Sequence, residues 1–233
     1  MTKVSLQNTK FYHILTMVFT FCLFVSNMAE MKIINIMGMA QVSAGIIFFP
    51  LLYLLNDIMT EVYGFSASRR TIWIALLLNL LFTILMYLIT SLPEGSDWEE
   101  KDAFESIFAL SPQIMLSSLI SYFFGELINA SMIAYLKIQF QGRLFALRAI
   151  FSTLVSSFLE SIFFGIIILS SQMTFYGIKP DDELLKMVMM LTILKVLYEI
   201  ILMPLAIPLL SYLKKAENLD VYEAPSWKKV LPF

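Results

Sequence analysis

Six long apolar runs decide what this chain can become. They fall near residues 11–29, 39–63, 71–91, 112–136, 147–170 and 184–213, and a bilayer-crossing helix needs roughly 20 such residues. A backbone inside hydrocarbon must satisfy its own polar groups, so runs of this length predict helices. The 59% hydrophobic and 15% charged content of the 233 residues excludes an ordinary water-soluble domain. The expected fold is an all-α integral membrane protein, a six-transmembrane-helix bundle forming one domain over 1–233, with a polar tail at 214–233. Its length leaves no room for a separate soluble catalytic domain.

Orientation follows from the loop cations. Lys3, Lys10, Arg69, Arg70, Lys137, Arg143, Arg148, Lys214, Lys215, Lys228 and Lys229 fall on one side, and Lys32, Lys101, Lys179 and Lys186 on the other. The richer side carries both termini and is expected to be cytoplasmic, in an inner membrane. The first run lacks a small-x-small cleavage pattern and reads as an uncleaved span. The loop from Pro93 to Ser111 is acidic and suits an external face, as a solvated loop or a lid. Ser111-Pro112 and Pro180–Glu183 read as helix starts. Pro204 and Pro208 should kink the last turns of the final run.

The apolar runs also contain ionisable groups: Asp57, Glu61, Glu126, Glu160, Lys195 and Glu199. Each costs roughly 2.5–3.5 kcal/mol at a helix centre facing lipid, so all should converge on the bundle interior. Tyr53, Asp57 and Glu61 recur every four residues, with Asn56 and Thr60 beside them, giving one polar stripe on an apolar helix. Pro50 lies one turn earlier, where a kink or break is expected. Asp57 and Glu61 repel at this spacing; they share a proton, meet Arg69 or Arg70, or contact a ligand. Lys195 and Glu199, one turn apart, could form an intrahelical pair. Glu126 and Asn129 share a face, and neither Glu126 nor Glu160 has a base in its own helix.

Other features are bland. Cys22 fits a small buried side chain and His13 an interfacial residue. No His/Cys metal spacing, glycine-rich phosphate loop or usable Ser/His/acid set occurs, so neither enzyme activity, metal nor cofactor is expected. No basic run suggests nucleic acid.

The segment Pro50-x-x-Tyr53-x-x-x-Asp57-x-x-Thr60-Glu61-Val62-Tyr63-Gly64 resembles the queuosine precursor transporter family, whose fold is related to the substrate-binding subunits of energy-coupling-factor vitamin importers. Ser26-Asn27, Gly125-Glu126-x-x-Asn129 with Lys137, Arg148 with Ser152-Thr153, Lys195-x-x-x-Glu199 with Pro204, and the ending Leu213–Tyr222 are similar as well. The resemblance implies a carrier for 7-cyano-7-deazaguanine or its aminomethyl relative, used in tRNA modification. It implies substrate contacts from Asn27, Tyr53, Asp57, Glu61, Glu126, Asn129, Glu160, Lys195 and Glu199. A carboxylate can accept the two donors of a guanine-like edge, a carboxamide can read the ring carbonyl, and aromatic rings can stack on the base. This chain departs from the family at Ser156-Ser157, Glu160 and Met203, which bears on which deazapurine it takes.

Two rival expectations stand beside this one: a subunit of an energy-coupling-factor importer, and a structural or regulatory membrane protein whose charges hold helices together. The bulky first span, Phe11–Val25, lacks the small-residue repeat that lets a partner helix approach closely. That argues against an energy-coupling ATPase module. A homo-oligomer remains compatible with the sequence.

Overall fold

The computed structural model describes residues 9–30, 32–36, 40–96, 98–108, 112–170 and 184–226. The apolar runs become α1 (Tyr12–Ala29), α2 (Phe49–Tyr63), α3 (Phe65–Thr90), α5 (Pro112–Gln139), α6 (Phe145–Ser170) and α7 (Leu184–Glu217), with a short α4 (Lys101–Phe108) between α3 and α5. Among the described residues, six helical segments are long and apolar enough to cross a membrane. The protein is an all-α, multi-pass membrane bundle.

The second run departs from the expectation of one span over 39–63. Its first residues form β2 (Ala40–Ser43), which pairs antiparallel with β1 (Ile33–Ile36). A 3-10 turn, Ala44–Ile47, follows before α2 begins. Pro50 therefore occupies the first turn of α2, where its missing N–H has no helical partner to lose. The expected break is the junction at Phe48, just ahead of the polar stripe.

Every residue of α2 except Leu51 is buried. This helix packs against α1, α3, α5 and α7 and is the central post of the bundle. One apolar cluster joins it to α1, α6 and α7 through residues such as Tyr12, Met59, Ala149 and Met203. The other joins it to α1, α3 and α5 through Phe19, Leu52, Ile72 and Leu127. Lipid tails are as apolar as these side chains, so close packing rather than escape from water holds the helices together. The outer surface is correspondingly apolar: Ile201 and Leu205 of α7 are each 72% exposed. Pro204 and Pro208 lie on that outer side, and α7 runs through them as one helix.

α2 and α3 meet with only Gly64 between them, at φ 88°. That left-handed backbone suits glycine. A side chain there would also strike Val221, 2.8 Å from an added Cβ. Ser111, Asp97 and Pro180–Glu183, which carried sequence expectations about capping and loop exposure, lie outside the described residues.

Candidate functional site

The polar stripe of α2 meets α5, α6 and α7 in successive layers. Because α6 runs opposite to the other three helices, its residues enter in reverse order. The layers span Tyr53 to Glu61, about 12 Å at 1.5 Å rise per residue.

Nearest the β-hairpin, Glu160 Oε2 accepts hydrogen bonds from Tyr53 Oη at 2.5 Å and Lys195 Nζ at 2.7 Å. The Lys195 ammonium also lies 5.2 Å from the Phe49 ring centroid and 5.5 Å from that of Tyr53. Gly125 allows this convergence of α2, α5 and α6. An added methyl would lie 2.9 Å from Tyr53 Oη and 3.0 Å from Glu160 Cβ.

In the next layer Asn56 Nδ2 donates to Glu126 Oε2 at 2.5 Å and to the Glu126 carbonyl at 3.1 Å. Ser68 Oγ donates to Asn56 Oδ1, which fixes the amide orientation. Glu126 Oε1, Tyr122 Oη and Ser157 Oγ are buried with no partner among the described residues. One turn further, Asn129 Nδ2 donates to Asp57 Oδ1 at 2.5 Å and Ser156 Oγ to Asn129 Oδ1 at 3.3 Å. Asp57 Oδ2, both Glu199 oxygens, Thr60 Oγ1 and Thr153 Oγ1 likewise find no partner there. Unpaired polar atoms in a buried membrane interior are costly, so this concentration makes the middle layers the candidate place for a polar ligand.

The end bearing the termini is different, because its charges are satisfied. Glu61 takes Arg148 Nη1 at 2.8 Å and Lys214 Nζ at 2.8 Å, with Lys137 Nζ at 3.7 Å. Lys137 Nζ donates to the Glu61 carbonyl and to Asp220, each at 2.5 Å, and to the Val221 carbonyl at 2.8 Å. Burial opposes the charge of Asp220, yet hydrogen bonds from Lys137 and Lys214 win and hold its carboxyl below the usual range. Val221 N bonds to the Val62 carbonyl and Ser66 N to Glu223, so the segment after α7 lies across this end of the bundle.

Several sequence expectations are corrected by these contacts. Lys195 pairs with Glu160 across two helices, not with Glu199 in its own. Glu160, with no base in its own helix, takes this one from α7. Glu61 meets Lys137, Arg148 and Lys214, not Arg69 or Arg70. Asn27 is engaged away from the column, donating to Asn79 Oδ1 of α3 at 2.7 Å. The other eight residues, Tyr53, Asp57, Glu61, Glu126, Asn129, Glu160, Lys195 and Glu199, do line the layers.

Several contributors, Lys137, Arg148, Lys214 and Glu30 among them, were not assigned to the site from the sequence. Lys137 reads as a loop cation but is 1% exposed; its spacing of eight residues from Asn129 on one helical face was the available signal. Glu30 follows the last residue of α1 and packs against Gly45. Burial and the nearby Glu160 push its carboxyl up to about 7, against a smaller opposing pull from Lys195. Nothing in its local sequence announces that it faces the site.

The family described as "Putative vitamin uptake transporter" matches residues 43–209, which contain every one of these layers except Glu30 and the tail. The chain belongs to that family. A curated relative, the "Probable queuosine precursor transporter" of Bacillus subtilis (strain 168), is 24% identical over 182 residues, covering 78% of this chain and 76% of that protein. No solved structure matches. This member of the family thus has a polar column inside an apolar membrane bundle, open in hydrogen-bonding capacity at its middle and locked by ion pairs at one end.

Proposed function

We propose that this transporter imports a queuosine precursor, 7-cyano-7-deazaguanine or its 7-aminomethyl relative, across the inner membrane. The whole of 1–233 acts as one transmembrane domain with both termini in the cytoplasm. The observation that carries the reading is the pairing of acceptor-rich carboxyls with carboxamides in the middle layers. Glu126 keeps one oxygen for a ligand while Asn56 fixes the other, and one turn away Asn129 is held in place by Asp57 and Ser156. A guanine-like edge has the two adjacent donors that such a carboxylate accepts, and Tyr53, Tyr122 and Phe49 supply flat apolar walls. The name of the Bacillus subtilis relative agrees with this substrate class. The exposed face of α1 carries bulky Met17 and Phe21, which favours a carrier working without an ATPase module.

The test is growth of cells that lack both queuosine precursor synthesis and their own importer. Expressing this chain and feeding each deazapurine should restore queuosine in tRNA. Absence of queuosine with every precursor, despite membrane-inserted protein, rejects the assignment.

A further inference from the structure

Asp57 of α2 and Glu199 of α7 stand beside each other, both fully buried. Asn129 bonds to this pair at Asp57 Oδ1 and the Thr153 hydroxyl lies close to Glu199, but both are neutral, and the other three carboxyl oxygens have no well-formed hydrogen bond among the described residues. The flanking cations are committed elsewhere. Lys195, one turn toward the hairpin, is held by Glu160 at 2.7 Å, and Arg148, toward the terminal end, by Glu61 at 2.8 Å. The remaining charged neighbour, Glu126 of α5, is another acid. α1 and α3 face the bundle with the neutral Thr16, Thr20, Cys22 and Thr71, and the buried cation of α3, Arg69, lies by Glu223 at the terminal end.

Two carboxylates side by side in so dry a place cannot both stay ionised. A single proton resolves the conflict, because the protonated oxygen then donates to its neighbour. We infer that Asp57 and Glu199 bind one proton between them and that this proton crosses the membrane with the substrate. The carrier is then a proton symporter, moving one proton inward with each precursor. Release requires a cation to approach the pair, and Arg148 becomes free to do so when its bond to Glu61 opens. This inference rests on the proposed transport function.

Two measurements test it. Purified protein in vesicles loaded with a pH-sensitive dye is given 7-cyano-7-deazaguanine, which is neutral and so cannot replace the proton. The expected result is substrate-driven acidification of the lumen. Collapsing the pH gradient should reduce concentrative uptake to equilibration while counterflow persists. Counterflow without acidification overturns the symport; absence of counterflow with every deazapurine rejects the transport reading instead. Independently of substrate, the infrared difference spectrum between the parent and the Asp57→Asn, Glu199→Gln double variant at neutral pH should contain a protonated-carboxyl band. A difference confined to ionised carboxylate bands overturns the proposal.

Discussion

Lys195 Nζ of α7 lies 2.7 Å from Glu160 Oε2 of α6, and this bond leaves Glu199, one turn along the same helix, without a cation. The pair is nearly buried, so removing one partner strands the other. Lys195→Met should cost about 3–5 kcal/mol, read as a lower thermal unfolding temperature in detergent. Adding Glu160→Gln should return most of that stability while uptake stays lost, because the Lys195 ammonium over Phe49 and Tyr53 is also gone. A single variant as stable as the parent would show that the bond is not needed for folding.

Gly125→Ala places a methyl 2.9 Å from Tyr53 Oη and 3.0 Å from Glu160 Cβ. Both neighbours belong to the same bonded unit, so neither yields without disturbing it. The expected cost is about 1–3 kcal/mol, with a larger loss in uptake than in folded yield. Uptake equal to the parent's means that the approach of α5 to α2 and α6 is looser than described.

The segment after α7 is held by Asp220, Val221 and Glu223 through Lys137, Lys214, Val62 and Ser66. Truncation after Asn218 should accelerate amide exchange at the terminal ends of α2 and α5. Asp220→Asn should be milder, about 1 kcal/mol, since its side chain is 44% exposed. Unchanged exchange in the truncated protein would remove the tail from the closure of this end.

Glu30 should give the protein a pH-dependent stability. Its carboxyl titrates at the usual 4.5 in the unfolded chain and at about 7 in the fold, so the folded state holds a proton over that window that the unfolded state has released. Stability is therefore full below about 4.5 and falls as pH rises through about 7. The upper bound is about 3.5 kcal/mol, at about 1.4 kcal/mol per pH unit, reduced by partial solvent access. Melting curves across this window should slope downward for the parent and less steeply for Glu30→Gln, the remaining slope belonging to the proton shared by Asp57 and Glu199. An equal slope in both assigns the effect to another group.

The proposed orientation makes a cysteine at Glu99, which is exposed in the loop before α4, reactive to an impermeant reagent added outside intact cells. A cysteine at the exposed Lys215 should react only after permeabilisation. The reverse pattern inverts the topology.

Much of this protein is written locally. Apolar run lengths specify the membrane helices, and the four-residue spacing of Tyr53, Asp57 and Glu61 specifies one buried stripe, because helix period and the cost of charge in lipid act within a single segment. The same cost turns Glu126, Glu160, Lys195 and Glu199 inward before any partner is known. Which partner each one takes is decided elsewhere. Lys195 could bond Glu199 by spacing alone, yet the antiparallel passage of α6 puts Glu160 at its height. Glu61 could reach for the nearby arginines, yet Lys137, Arg148 and Lys214 arrive from three other helices. Glu30 and the start of the second run go the same way, the former set over the site by its packing on Gly45 and the latter drawn into a hairpin by β1. Pairing depends on the relative height and rotation of helices remote in sequence, which only close packing of the whole bundle determines.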